Sequence, residues 1–162
     1  MRIGIGYDIH PLVPKMKLVL GGVEIPFDKG LKGWSDGDVL THAIMDALLG
    51  AAALGNIGTN FPPGESQYKN ISSLTLLKKV KGLLTEHGWK VGNIDATVVA
   101  EQPKLKDYID SMRQKLSQTI GIELGRVSVK ATTSEKIGFI GQGEAIAVYS
   151  VALIEGSNDE NI

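Results

Sequence analysis

The chain has 162 residues, no cysteine and a formal net charge of −1 at pH 7, with 17 Lys and Arg against 18 Asp and Glu. That length is ordinary for one domain, and so even a mixture of charges leaves no basic stripe for a nucleic-acid partner. Without thiols there is neither a disulfide framework nor a thiolate site, so any metal must be held by nitrogen and oxygen.

No ordered series of basic, apolar and small-residue regions opens the chain. The longest apolar run, Ala47 to Leu54, is too short and too interrupted by Gly50 to cross a bilayer. The chain therefore reads as a cytoplasmic protein with no membrane partner.

The opening alternation Arg2-Ile3-Gly4-Ile5-Gly6 predicts a strand that continues into Tyr7-Asp8-Ile9-His10. On a strand, Asp8 and His10 at i and i+2 share one face, roughly 6 to 7 Å apart at Cα, so a carboxylate and an imidazole converge on one point. Leu18 to Leu20 and Val23 to Ile25 flank Gly21-Gly22 and read as extended segments around a tight turn. Ser35 with Asp38 three residues later resembles a capping box, and the period of Val39, Leu40, Ala43, Ile44, Ala47, Leu48 and Ala51 predicts a helix from Asp38 to Leu54 stopped by Gly55. His42 lies in its second turn, and Asp8, His10 and His42 form a sound zinc shell with a fourth position open. Asp38, His42 and Asp46 fall at i, i+4 and i+8, so a carboxylate can orient the imidazole from behind, with Asp46 preferred because it lies deeper in the helix.

Asn56 to Asn70 lacks period and reads as a long functional loop. A helix capped by Ser72 or Ser73 follows, with Leu74, Leu77, Val80, Leu83 and Leu84 inward, His87 in its last turn interacting with the helix dipole, and Gly88 closing it. Asn93 to Glu101 predicts a strand and Pro103 the start of a helix with Leu105, Tyr108, Ile109, Met112, Leu116 and Ile120 on its apolar side, ended by Gly121. Two closing strands, 126–132 and 144–155, bracket a Gly-rich turn. The elements specify an α+β fold, a mixed sheet with helices packed on one face, in a single domain over 1–156 with a disordered tail at 157–162. A sheet bare on its other face invites an oligomer.

Thr132-Thr133-Ser134-Glu135-Lys136 places three hydroxyls and a carboxylate after a strand, a pattern suited to phosphate oxygens and Mg²⁺ as well as to an ordinary polar turn. Neither Gly4-Ile5-Gly6 nor Gly138 to Gly143 has the glycine spacing followed by a helix that a dinucleotide site needs.

Taken together, Arg2 to Gly4 with Gly6 to His10, Ser35 to Asp38 with His42-Ala43 and Asp46 to Gly50, Pro103-Lys104, and Lys130 to Lys136 with Gly138-Phe139 resemble the 2-C-methyl-D-erythritol 2,4-cyclodiphosphate synthase family. The likeness spans nearly the whole chain. It implies a homotrimer, with active sites between subunits, that cyclises 4-diphosphocytidyl-2-C-methyl-D-erythritol 2-phosphate and releases CMP. By that resemblance Asp8, His10 and His42 hold zinc, Glu135 joins substrate phosphates on magnesium or manganese, and Thr133 and the residue at Trp34 stabilise the transition state. Substrate contacts would extend over Asp8 to His10 with Ile9, Trp34 and Ser35, Asn56 with Ile57 and Gly58, and Phe61, Pro62, Pro63, Gly64 and Glu65. On the nucleotide side they would run through Ala100, Glu101, Gln102, Pro103, Lys104, Leu105 and Lys106, then Thr132, Thr133, Ser134 and Glu135, with Phe139 and Gln142.

Four positions depart from the family pattern. Trp34 stands where a histidine is common, Asn56 and Pro63 where aspartates are, and Gln142 where an arginine facing the central cavity of the trimer is. Indole cannot become cationic and Pro63 offers no side-chain hydrogen bond. Two other activities fit the same residues: a metal-dependent nucleotide phosphohydrolase and a catalytically silent ligand-binding trimer.

Overall fold

A computed structural model describes residues 1–157. Five strands form one mixed sheet: β1 (Arg2–Pro14), β4 (Lys29–Leu31), β5 (Trp89–Val99), β6 (Val127–Thr132) and β7 (Ala145–Gly156), in the order β4-β1-β7-β5-β6. All neighbours are antiparallel except β5 and β6. β2 (Leu18–Leu20) and β3 (Val23–Ile25) make a separate hairpin around Gly21-Gly22, both at positive φ. The helices are α1 (Val39–Ala51), α2 (Ile57–Asn60), α3 (Ser73–Glu86), α4 (Ile109–Ile120) and α5 (Gly138–Gly141).

The long helices cover one face of the sheet. Ile94, Ala96 and Val98 of β5, Val127 and Val129 of β6, and Ile146, Val148, Ala152 and Ile154 of β7 are buried beneath them. The opposite face presents Ile3, Ile5, Tyr7, Tyr149 and Val151 to the outside, with Ile3 74% and Ile5 72% exposed. Tyr7 and Tyr149 are register partners whose rings lie 4.9 Å apart.

β1 approaches α1 unusually closely because it offers glycine on that face. A Cβ on Gly6 would lie 1.9 Å from the Ala43 carbonyl oxygen, and one on Gly4 2.1 Å from that of Ala47. Alternate glycines on the strand therefore meet alanines one helical turn apart, and His42 is carried against Asp8 and His10.

Several boundaries differ from the sequence expectation. Asp38, not Ser35, is the N-cap of α1, because its carboxylate accepts from the Thr41 amide at 3.0 Å and also from Gly21 and Gly22. The helix ends at Ala51 rather than Leu54. Ala53 takes the left-handed conformation, and the Ala53 and Leu54 amides return to Gly50 and Leu49, closing a Schellman turn before Gly55 is reached. The 56–70 segment contains α2 and a 3₁₀ turn at Ser66–Tyr68. β5 begins at Trp89 and carries an irregularity between Val91 and Asn93. Pro103 opens a turn, and α4 starts only at Ile109 after a 3₁₀ turn at Lys106–Tyr108. The Gly-rich stretch folds as α5. β7 extends through Gly156, and the Ser157 amide donates to the Gly88 carbonyl at 2.8 Å. The disorder expected of 157–162 falls, from 158 onward, outside the described residues.

Candidate metal centre and active site

Asp8 and His10 point from β1 to the same side as Gly4 and Gly6, where α1 delivers His42. His10 Nε2 lies 2.9 Å from Asp8 Oδ2, His42 Nδ1 lies 3.0 Å from the same oxygen, and the two ring nitrogens are 3.2 Å apart. Among the described residues this is the group of three that could hold a metal ion. Tetrahedral zinc with bonds of about 2.0 to 2.1 Å sets neighbouring donors about 3.3 Å apart, so the triangle needs only a few tenths of an ångström of expansion. Each donor is nitrogen or oxygen, as a chain without thiols requires.

The site attracts positive charge, whether a proton held among its three groups or a metal ion. Burial works to raise the Asp8 carboxyl, but the hydrogen bonds and charges of His10 and His42 hold it well below the usual carboxylate range. Burial works to lower His10, and Asp8 raises it. His10 Nδ1 donates to the Lys32 carbonyl at 2.7 Å, so once the ring is neutral its lone pair lies on Nε2, the atom now 2.9 Å from Asp8 Oδ2 and the one a metal would take.

Asp46 does not orient His42. Its Oδ1 accepts from the Ile57 amide at 2.7 Å and anchors the start of α2 instead. Asp38 is spent on its caps. The partners of His42 Nε2 are two hydroxyls, Ser35 Oγ at 3.0 Å and Ser73 Oγ at 2.9 Å. Ser73 bears on the site, although its sequence position at a helix start suggests only capping. Only a fold that brings α3 against α1 reveals it.

A cavity of about 230 Å³ opens over the triad, walled by Trp34, Ser35, Ile57, Gly58, Phe61, Pro63, Tyr68 and Leu76. Tyr68 and Leu76 had no sequence signal beyond apolarity. The indole N–H of Trp34 donates to the Glu65 carbonyl at 3.1 Å, tying the wall across the loop. Asn56 spends its acceptor on Thr59, whose amide it caps at 2.9 Å.

The nucleotide-side residues gather elsewhere. Ala100, Glu101, Pro103, Lys104, Leu105, Lys106, Thr132 and Thr133 line a second cavity of about 420 Å³ with Ile109 and Ala131, and the two cavities share no residue. The Gln102-Pro103 peptide in that rim is cis. Glu135 stands beside it at φ 53°, accepting from Thr133 Oγ1 at 2.9 Å. Glu101 Oε1 accepts from the Ser134 and Lys136 amides and so holds this strained loop. Ile9, Asn56, Pro62, Gly64, Glu65, Gln102, Ser134, Glu135, Phe139 and Gln142 line neither cavity. Ile9 is half-buried, with its amide donating to Asp8 Oδ1. Phe139 is exposed on α5, and Gln142 caps its end.

Residues 1–155 match the YgbB family. The chain belongs to the YgbB family. A relative from Dehalococcoides mccartyi, named 2-C-methyl-D-erythritol 2,4-cyclodiphosphate synthase, is 59% identical over 155 residues, covering 96% of this chain and 99% of that protein. One of the same name from Thermosynechococcus vestitus is 57% identical, covering 96% of each chain. Among solved structures, the bifunctional IspDF of Campylobacter jejuni superposes with a TM-score of 0.92 at 42% identity, over 96% of this chain but 42% of that one. A CDP complex of Plasmodium falciparum IspF superposes at 0.85 with 34% identity over 97% of both chains.

Proposed function

We propose that this protein converts 4-diphosphocytidyl-2-C-methyl-D-erythritol 2-phosphate to 2-C-methyl-D-erythritol 2,4-cyclodiphosphate and CMP in isoprenoid precursor synthesis, a reaction of the phosphorus–oxygen lyase class. The observation that carries the reading is the convergence of Asp8, His10 and His42 on one point beneath an apolar-walled cavity, in a chain matched along its length to synthases of that name.

In the reaction a 2-phosphate oxygen of the substrate attacks the β-phosphorus. The bond from that phosphorus to the oxygen bridging it to the α-phosphorus breaks, and CMP leaves with the bridging oxygen. The nucleophile belongs to the substrate, so the chain must fold the substrate back on itself and hold it there. Zinc held by Asp8, His10 and His42 supplies Lewis-acid polarisation of a phosphate oxygen when bound, and magnesium or manganese at Glu135 supplies charge neutralisation.

The rest of the work falls to the chain. Lys104, Lys106 and Thr132 offer donors to nucleotide phosphates, Thr133 offers a hydroxyl beside Glu135, and the Leu105 and Pro103 side supports the base. Trp34, Ile57, Phe61 and Pro63 enclose the erythritol. With its N–H engaged by Glu65, Trp34 contributes an apolar wall.

The reading places the two cavities in one active site contributed by neighbouring subunits of a homotrimer. The bare face of Ile3, Ile5, Tyr7, Tyr149 and Val151 supports such an assembly, since an exposed apolar sheet face of this kind marks a protein interface. We infer a cytoplasmic location for the protein. Among the described residues no helix is long and apolar enough to cross a membrane.

Phosphorus NMR of the substrate with protein, zinc and magnesium tests the reading. Two coupled resonances of a cyclic diphosphate together with CMP are expected. A linear phosphate product would make the protein a phosphohydrolase, and an unchanged spectrum would leave it a binding protein.

A further inference from the structure

His42 differs from His10 in what stands behind its ring. His10 Nδ1 meets a carbonyl, which can only accept, so its tautomer is fixed. His42 Nε2 meets hydroxyls, and a hydroxyl can donate or accept. Left to themselves, they would permit either tautomer, and only one of the two leaves a lone pair on Nδ1, the atom 3.0 Å from Asp8 Oδ2.

One of those hydroxyls is already committed. Ser73 Oγ lies 2.5 Å from Asp36 Oδ1, and a carboxylate only accepts, so the Ser73 hydrogen points to Asp36. Ser73 Oγ then turns only lone pairs toward His42 Nε2, which favours hydrogen there against the pull of Asp8 Oδ2, an acceptor 3.0 Å from Nδ1, until a cation takes its place. Asp36 is itself held, accepting from the Ser73 amide at 2.9 Å and from the Asp38 amide at 3.2 Å. Ser73 is fully buried. We propose that Asp36 and Ser73 form a relay that fixes the tautomer of His42 and so presents its Nδ1 to the metal, both acting as positioning residues. The proposal rests on the metal reading of the triad.

A purely structural role must be separated from this one. Ser72 makes no side-chain cap on α3, and Asp36 supplies the missing bond through the Ser73 amide, so losing Asp36 loosens α3 whatever happens at His42. Ser73→Ala keeps that amide bond and removes only the hydroxyl. Ser35 then remains behind the ring and suits either tautomer.

The experiment is long-range proton–nitrogen NMR of metal-free protein above the imidazole titration range, beside a competitive zinc titration. In the parent, the relay is expected to outweigh Asp8 and keep the His42 hydrogen mainly on Nε2. In Ser73→Ala its nitrogen shifts move toward a mixture of tautomers and zinc affinity falls about ten- to hundredfold, the usual effect of losing a partner behind a metal ligand. A parent with hydrogen on Nδ1, or a Ser73→Ala protein with unchanged nitrogen shifts and affinity, overturns the relay. Should Ser73→Ala fail to fold, Ser73→Gly carries the same expectation and the parent spectrum still decides. A parent that binds no zinc defeats the metal reading instead, and the metal-free spectrum distinguishes that failure from failure of the relay.

Discussion

Replacing Gly6 by alanine tests whether the approach of β1 to α1 creates the metal centre. The added Cβ would lie 1.9 Å from the Ala43 carbonyl oxygen and 2.8 Å from the Ala47 amide nitrogen, both backbone atoms that no rotamer change can move aside. Restoring ordinary contact requires α1 to retreat by about 1.5 Å. Overpacking of this kind costs about 1 to 3 kcal/mol, which in a chain of this size lowers the melting temperature by about 2 to 12 °C. The effect on the site is larger, because His42 adjoins Ala43 and moves with the helix. Its Nδ1 sits in a donor triangle with sides of 2.9 to 3.2 Å, and metal–ligand distances tolerate only about 0.2 Å. Zinc affinity should fall by about 100-fold or more, read by competition with a chromophoric chelator alongside thermal melts. Gly82→Ala is the control. That glycine lies inside α3 with nothing within 4 Å of a new Cβ, so alanine there should stabilise by about 0.5 to 1 kcal/mol. If Gly6→Ala melts like the parent and holds zinc as tightly, close packing is not what assembles the triad.

Trp34→Phe keeps an apolar wall but loses the bond to the Glu65 carbonyl; a loss of about 0.5 to 1.5 kcal/mol predicts a fall of up to about tenfold in kcat/KM, and an unchanged value would show the tie to be idle. Zinc at about 100 times its dissociation constant should stabilise the protein by about 2.7 kcal/mol, so a melting temperature indifferent to zinc and chelator would count against the site. Asp95 lies below the ordinary carboxylate range because the hydrogen bonds of Lys130 and Ser128 outweigh burial, which acts the other way. Its pairing with Lys130 therefore stabilises the fold above the ordinary pKa of about 4 and is lost as pH falls through the lower folded value. The melting difference between parent and Lys130→Met, small for a half-exposed pair, should be present at neutral pH and vanish in acid. Ile5→Asp charges the bare sheet face and should convert a trimer to monomers in light scattering, whereas a parent that is already monomeric would remove the shared-site reading.

The convergence of Asp8 and His10 was legible because they sit at i and i+2 on a strand, where geometry alone makes side chains converge, whereas His42 joined them on the strength of the family resemblance. The helix bearing His42 was legible from its period. Its position was not, since nothing local states that α1 lies over β1. The signal was present as Gly4 and Gly6 against Ala43, Ala47 and Ala51, small residues at strand spacing facing small residues at helical spacing. Read singly, the glycines suggest only an incomplete nucleotide fingerprint. Asp46 was favoured behind His42 because helical spacing places it on the same side, but spacing does not reveal that the Ile57 amide competes for that carboxylate. Asp36 and Ser73 are separated by 37 residues and meet only through the docking of α3. The cap of α1 was misplaced by three residues for a similar reason: Asp38 takes two of its donors from the distant Gly21-Gly22 turn.

The departures at Trp34, Asn56 and Pro63 have a common physical meaning. None of the three side chains can carry charge, Trp34 and Pro63 line the cavity over the triad, and two of the three put their polarity into ties within the loop: Trp34 to Glu65, and Asn56 to Thr59. What faces the triad is then largely Trp34, Ile57, Phe61, Pro63, Tyr68 and Leu76. In such surroundings the attraction between a phosphate oxygen and a bound cation is screened less than in water. An apolar wall also gives an attacking water few partners to hold it, while a phosphate tethered to the same substrate needs none. If the site performs the proposed reaction, a wall of this composition favours cyclisation over hydrolysis while leaving the three ligands in place.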